Sequence, residues 1–137
     1  VMGYLANVGV KAKLRFFADI GQFLANFRGS KLDGITMFSW GYNSVFDSDF
    51  IYYIHFHAGE PYAYNTAKEM DQWLEEARAT VDPKKRQELY SRFQRFIVAQ
   101  AYWAPMYAQF TIEAVSNKLY YEASSDEIMR VHAATWK

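Results

Sequence analysis

Val10-Lys11-Ala12-Lys13-Leu14-Arg15-Phe16, then Asp19-Ile20-Gly21-Gln22-Phe23-Leu24-Ala25-Asn26-Phe27-Arg28-Gly29, then Ile35-Thr36-Met37-Phe38-Ser39-Trp40 is the stretch that decides the fold class. In the first part Val10, Ala12, Leu14 and Phe16 alternate with Lys11, Lys13 and Arg15, the period of two that gives a strand one covered and one wet face. In the second, Asp19 stands before Ile20, Phe23, Leu24 and Phe27 at i, i+3, i+4 and i+7, which predicts a capped helix ended by Gly29. The third run is apolar on both faces and suits an interior strand. A strand-helix-strand connection of this length is expected to be parallel and right-handed. The reading is α/β, with one βαβ unit and additional helices.

Outward from this unit, Met2, Tyr4 and Leu5 followed by Asn7-Val8-Gly9 read as the last turns of a helix closed by a glycine. A helix end without its beginning makes the chain an expected fragment. On the other side, Trp40 falls at the carboxyl end of a parallel strand, where open α/β sheets bind ligands. Trp40-Gly41-Tyr42-Asn43 would supply an indole face, a glycine permitting close backbone approach, and an amide that both donates and accepts. Trp40 and Tyr42 as core aromatics, with Asn43 as a turn residue, is the alternative. Asp47 is open in the same way: a carboxylate near the ligand, with Asp49, or the cap of a helix through Phe50, Ile51 and Ile54.

His55-Phe56-His57 with Glu60 has metal-ligand chemistry only if the segment is a strand. On a helix the two rings diverge by about 200°, and the expectation is surface or loop histidines with no metal. Thr66-Ala67-Lys68-Glu69 matches a capping box, followed by the stripe Met70, Trp73, Leu74 and Ala77. Glu75 and Glu76 diverge on that helix and cannot face each other as an acid/base pair. Asp82-Pro83 starts another helix, with Leu89, Phe93, Phe96, Ile97 and Ala101 as its packing face. Lys84, Lys85 and Arg86 oppose its dipole and are expected to pair with residues 43–82, which hold eight acids against two bases. Ala104-Pro105-Met106-Tyr107 breaks the helix, and Tyr107 through Val115 reads as a strand. Leu119-Tyr120-Tyr121 and Ile128 to Trp136 suggest a short helix and a tail.

The blocks Tyr64-Asn65 to Asp71, Asp82-Pro83-Lys84-Lys85-Arg86-Gln87-Glu88-Leu89-Tyr90 and Ala104-Pro105-Met106-Tyr107 resemble the carboxyl-terminal signature of the extracytoplasmic solute-binding proteins of peptide, opine and nickel ABC importers (family 5). The resemblance extends back through Ser39-Trp40-Gly41 to Tyr4-Leu5-Ala6-Asn7-Val8-Gly9-Val10. It implies a single domain over residues 1–137, forming the C-terminal part of one lobe of a type II periplasmic-binding-protein-like fold. It also implies capture of a peptide or other small solute, delivery to permease subunits, an extracytoplasmic location and a partner lobe N-terminal to this chain. In such proteins a tryptophan at the place of Trp40 lines the cleft, and an acidic residue three positions on pairs with the ligand's amino group. Here that position is Asn43. The segment at Tyr107 often approaches the ligand, so the resemblance adds Tyr107 to Trp40, Gly41, Tyr42, Asn43 and Asp47 as candidate ligand-binding residues.

Composition agrees with a globular domain. Hydrophobic residues are 51% and charged residues 22% of the 137. Fifteen basic and fifteen acidic side chains cancel, leaving no overall field to attract nucleic acid. Cysteine is absent, which removes disulfides and thiolate chemistry. No apolar run nears 18 residues, and no basic-then-apolar leader is present. No phosphate-binding glycine loop, nucleophile elbow or triad is seen, and no cofactor is expected. The alternative to solute capture is a structural or interaction domain that docks a partner through an exposed aromatic surface, aromatic residues being 19% of the chain.

Overall fold

The structure is a computed structural model that describes residues 1–41 and 45–137. The chain separates into two compact units, Val1–Leu32 and Asp33–Lys137.

In the first unit α1 (Met2–Asn7) ends as its sequence requires. Gly9 takes a φ of 83°, which lets the Val10 amide reach the Leu5 carbonyl at 2.9 Å and the Gly9 amide reach Ala6 at 3.0 Å. α2 (Ile20–Arg28) begins where the Asp19 carboxylate accepts the Gln22 amide at 3.0 Å. Its end differs in detail from expectation: Gly29 stays in the ordinary region, and Ser30 takes the left-handed turn at φ 51° while Lys31 donates to the Asn26 carbonyl. Phe17, Phe23 and Phe27 form a ring ladder with centroid separations of 5.5 and 5.6 Å. Residues 10–16 keep their alternation in sequence, yet no strand forms there and Val10, Leu14 and Phe16 are exposed. A strand needs a neighbouring edge for its amides and carbonyls, and among the described residues none is paired with this segment.

The second unit is built on three helices, α3 (Ser48–Phe56), α4 (Lys68–Ala79) and α5 (Pro83–Ala99). α4 and α5 form an antiparallel hairpin, and α3 packs on α4. Phe56, Met70, Leu74, Ala77, Leu89, Tyr90, Phe93 and Ile97 are the core, with Trp73, Phe96 and Trp103 packed against it. The expected stripes on α4 and α5 therefore face each other. Asp82 caps α5 by accepting the Lys84 amide at 2.9 Å, with Pro83 in the first turn. Two expectations shift. α4 is capped at Ala67 without a side-chain bond, so Thr66 lies one residue outside the position a capping box requires. Ala101 leaves the packing face and makes the left-handed turn after α5, at φ 54°, so that Tyr102 donates to the Ile97 carbonyl.

Ile35–Trp40 and Tyr107–Val115 form no strand either. Among the described residues the one ladder pairs β1 (Leu119–Tyr120) with β2 (Thr135–Trp136), antiparallel, Leu119 opposite Trp136. Residues 119–121 thus start a hairpin rather than a helix. Inside it the Asp126 carboxylate is buried. It accepts the Ile128 amide at 3.2 Å, both terminal nitrogens of Arg130 and the Ser124 hydroxyl. Among the described residues no helix is long and apolar enough to cross a membrane.

Candidate functional site

Trp40 sits half-buried on the second unit, one residue before Gly41. Its ring meets His55 edge-on at 4.5 Å, Tyr62 at 5.1 Å and Phe38 at 6.5 Å. His55 is the centre of this cluster, stacked on Phe38 at 5.6 Å and flanked by Trp103 at 5.2 Å. It is 2% exposed, which corrects the expectation of a surface histidine. The cause is its place on α3: one turn back lies the Ile51 carbonyl, to which Nδ1 is bonded at 2.7 Å, with Nδ1–H the donor. Burial among rings disfavours the charged imidazolium, so its pKa falls below the ordinary 6.5, a shift the Ile51 bond partly opposes. The Trp40 indole N–H is buried with no hydrogen-bond partner among the described residues.

His57 faces elsewhere, as helical spacing requires. Its ring stacks on Tyr53 at 4.2 Å and its Nε2 lies 3.1 Å from Glu75. Among the described residues no three potential ligands are grouped to hold a metal ion.

Of its two sequence readings, Asp47 takes the helix-cap role. One oxygen accepts the Asp49 amide at 2.9 Å, capping α3, and both oxygens receive the Arg86 guanidinium at 2.9 Å. The Arg86 hydrogen bonds hold the Asp47 carboxyl below its ordinary 3.8. Arg86 also donates from Nε to the Ala77 carbonyl at 3.0 Å and from Nη2 to the Tyr90 hydroxyl at 3.2 Å. Beside it, Arg78 donates to both oxygens of Asp49 at 2.8 Å and lies over the Tyr53 ring. Lys85 pairs with Glu76 at 2.7 Å. The expected pairing of basic residues 84–86 with the acidic segment is thus made by Lys85 and Arg86. Asp47, Asp49, Arg78 and Arg86 line an open depression of about 750 Å³ whose apolar wall includes Phe50, Ile54 and Val81.

The remaining candidates are scattered. Tyr107 is 73% exposed, and Tyr42 and Asn43 lie outside the described residues. Gly41 has a neighbour that sequence reading missed: the Glu127 carboxylate lies in the space a Cβ would fill, and a larger residue at 41 would require that side chain to move. Glu127 itself holds a φ of 63°. Nothing in the sequence signals a contact across 86 positions.

Over this fold the chain is 32% identical, across 124 residues, to the glutathione-binding protein GsiB of Escherichia coli (strain K12). The proteins of the same name from Shigella flexneri and from Shigella dysenteriae serotype 1 match equally. Each match takes in 84% of this chain and 24% of the relative, so the chain spans about a quarter of the length of the curated relatives it matches. No family model matches the chain, and no solved structure matches it.

Proposed function

We propose that this chain is the C-terminal part of one lobe of an extracytoplasmic solute-binding protein of family 5. In this reading it captures a peptide or peptide-like solute for an ABC importer and delivers it to the permease. The observation that carries the reading is the 32% identity over 84% of the chain to glutathione-binding proteins. Glutathione itself is the first solute to try. Trp40 and Gly41, at the edge of the aromatic cluster, are the proposed ligand-facing residues, and Tyr42, Asn43, Asp47 and Tyr107 complete the candidate set. The proposed fold is a type II periplasmic-binding-protein-like lobe, in which residues 10–16, 35–40 and 107–115 are strands of a larger sheet. Phe110 and Ile112, 90% and 92% exposed, favour this, because alternating apolar residues left bare are what an unpaired strand displays. The same exposed residues are what an interaction domain docking a partner would present, and binding data separate the two.

Capture works when the solute makes contacts to both lobes that the open state lacks. Titration calorimetry of the full-length protein with glutathione and with short peptides should therefore give saturable heat, while the 137-residue chain alone gives none. Equal binding by the chain alone would remove the two-lobe reading, and no binding by the full-length protein would remove solute capture of this class.

A further inference from the structure

We propose that His55 is a positioning residue whose neutral imidazole seats Trp40 and whose protonation unseats it, so that solute binding weakens as pH falls, an inference that rests on the solute-binding reading above. The geometry puts the imidazole at a hub. Phe38, Trp40, Tyr62 and Trp103 come from three segments outside α3, and each ring centroid lies within 5.6 Å of His55. Trp40 makes the shortest of these contacts, at 4.5 Å. The hub is itself fixed: Nδ1–H donates to the Ile51 carbonyl at 2.7 Å, and the next residue, Phe56, is buried in the core against Phe93. Where Trp40 rests is therefore decided by a side chain that α3 holds in place.

The charge on that side chain decides whether the seat exists. A neutral imidazole packs among rings as another ring does. An imidazolium in the same place carries a unit charge and a second N–H donor, and both call for water. His55 and Tyr62 are buried, while Phe38, Trp40 and Trp103 are half-buried and stand between the imidazole and solvent. Trp103 is packed against the helical core, its ring 4.7 Å from Phe56, whereas Phe38 and Trp40 reach the cluster from a segment outside that core. Hydration of the imidazolium thus displaces Phe38 and Trp40 first.

The charged groups of the surrounding elements are engaged elsewhere. Residues 35–40 carry no titratable side chain. In the loop after α3 the Tyr62 phenol is on the ring that touches His55, while Glu60 lies near Arg78 in the depression. Between α3 and α4, Asp49 is bonded to Arg78, His57 to Glu75 and Asp71 to the Ala58 amide. On α5 Arg86 is bonded to Asp47 and Arg92 lies over Trp73; after it, Tyr102 packs on Phe96. Burial accordingly outweighs the Ile51 bond and holds the His55 pKa below 6.5, so the neutral form prevails above that folded pKa and is lost as pH falls through it.

The test follows both partners in the full-length protein between pH 7 and pH 5, an interval outside which the carboxylates, amine and thiol of glutathione titrate. In heteronuclear spectra of protein labelled in histidine and tryptophan, the Trp40 indole signal should move with the same midpoint as the His55 ring, while the Trp73 signal stays. Calorimetric affinity for glutathione should fall below that midpoint, towards about tenfold for each pH unit, as expected when one protonation form binds. His55→Asn keeps an N–H donor for the Ile51 carbonyl and does not titrate; His55→Phe keeps a ring. Either variant, given a wild-type far-ultraviolet spectrum, should bind with an affinity that no longer changes across the interval, and where a variant fails to fold the wild-type spectra decide. A Trp40 signal indifferent to His55 titration, a His55 that stays neutral down to pH 5, or a pH profile that survives in a folded variant overturns the positioning role and leaves solute capture intact. Wild-type protein that binds no glutathione at pH 7 removes glutathione capture instead, and the two signals still decide whether His55 seats Trp40.

Discussion

Asp47 and His55 show how far single residues could be read in advance. An aspartate just before an apolar run announces a cap, and Asp47 caps α3; its fork with Arg86, 39 positions away, has no local signature. His55 is expected at the surface because nothing in its own segment signals burial, whereas Phe38, Tyr62 and Trp103, which bury it, come from three other segments. Both residues make stability depend on pH, in separate windows. The folded His55 has a pKa below the unfolded value of 6.5, so the unfolded chain binds more protons as pH falls past 6.5, and stability declines there. Asp47, held below 3.8 by Arg86, contributes stability above that value and loses it as pH falls through its folded pKa. Thermal melts should therefore show a midpoint that drops between pH 7 and pH 5, a slope that His55→Phe flattens. A further drop below pH 4 should shrink in Asp47→Asn.

Among the elements, helices were legible and strands were not. A helix closes its hydrogen bonds within its own turn, so Asp19, Asp82 and the 3.6-residue stripes suffice to locate α2 and α5. A strand is completed only by another strand, and residues 10–16, 35–40 and 107–115 carry the pattern without a paired edge among the described residues. In the α3, α4 and α5 packing Phe93 is fully buried, its ring against Tyr52 and Phe56. Phe93→Ala should cost about 3–5 kcal/mol in urea unfolding. The turn after α5 offers the opposite sign. Ala101 pays the Cβ penalty of the left-handed region, and Ala101→Gly removes it at a smaller cost in unfolded-chain entropy. A gain of up to about 1 kcal/mol is expected in the same assay.

For the whole molecule, the sequence resemblance and the match to glutathione-binding proteins point the same way, and they do so along nearly the full length of the chain. The surroundings of Trp40 and Gly41 are hard to read in sequence because their parts come from far apart: Trp40 and Gly41 from one segment, His55 from α3, Glu127 from the last hairpin. The Arg86 guanidinium illustrates what such long-range ties do. It touches the cap of α3 through Asp47, the last turn of α4 through the Ala77 carbonyl, and its own helix through Tyr90. Fraying any one of the three leaves a charge or a carbonyl of the others without its partner. Amide hydrogen exchange should accordingly find these helices opening as one event with a common protection factor, and Arg86→Ala should speed exchange in all three together, a behaviour that helix-by-helix fraying would not produce.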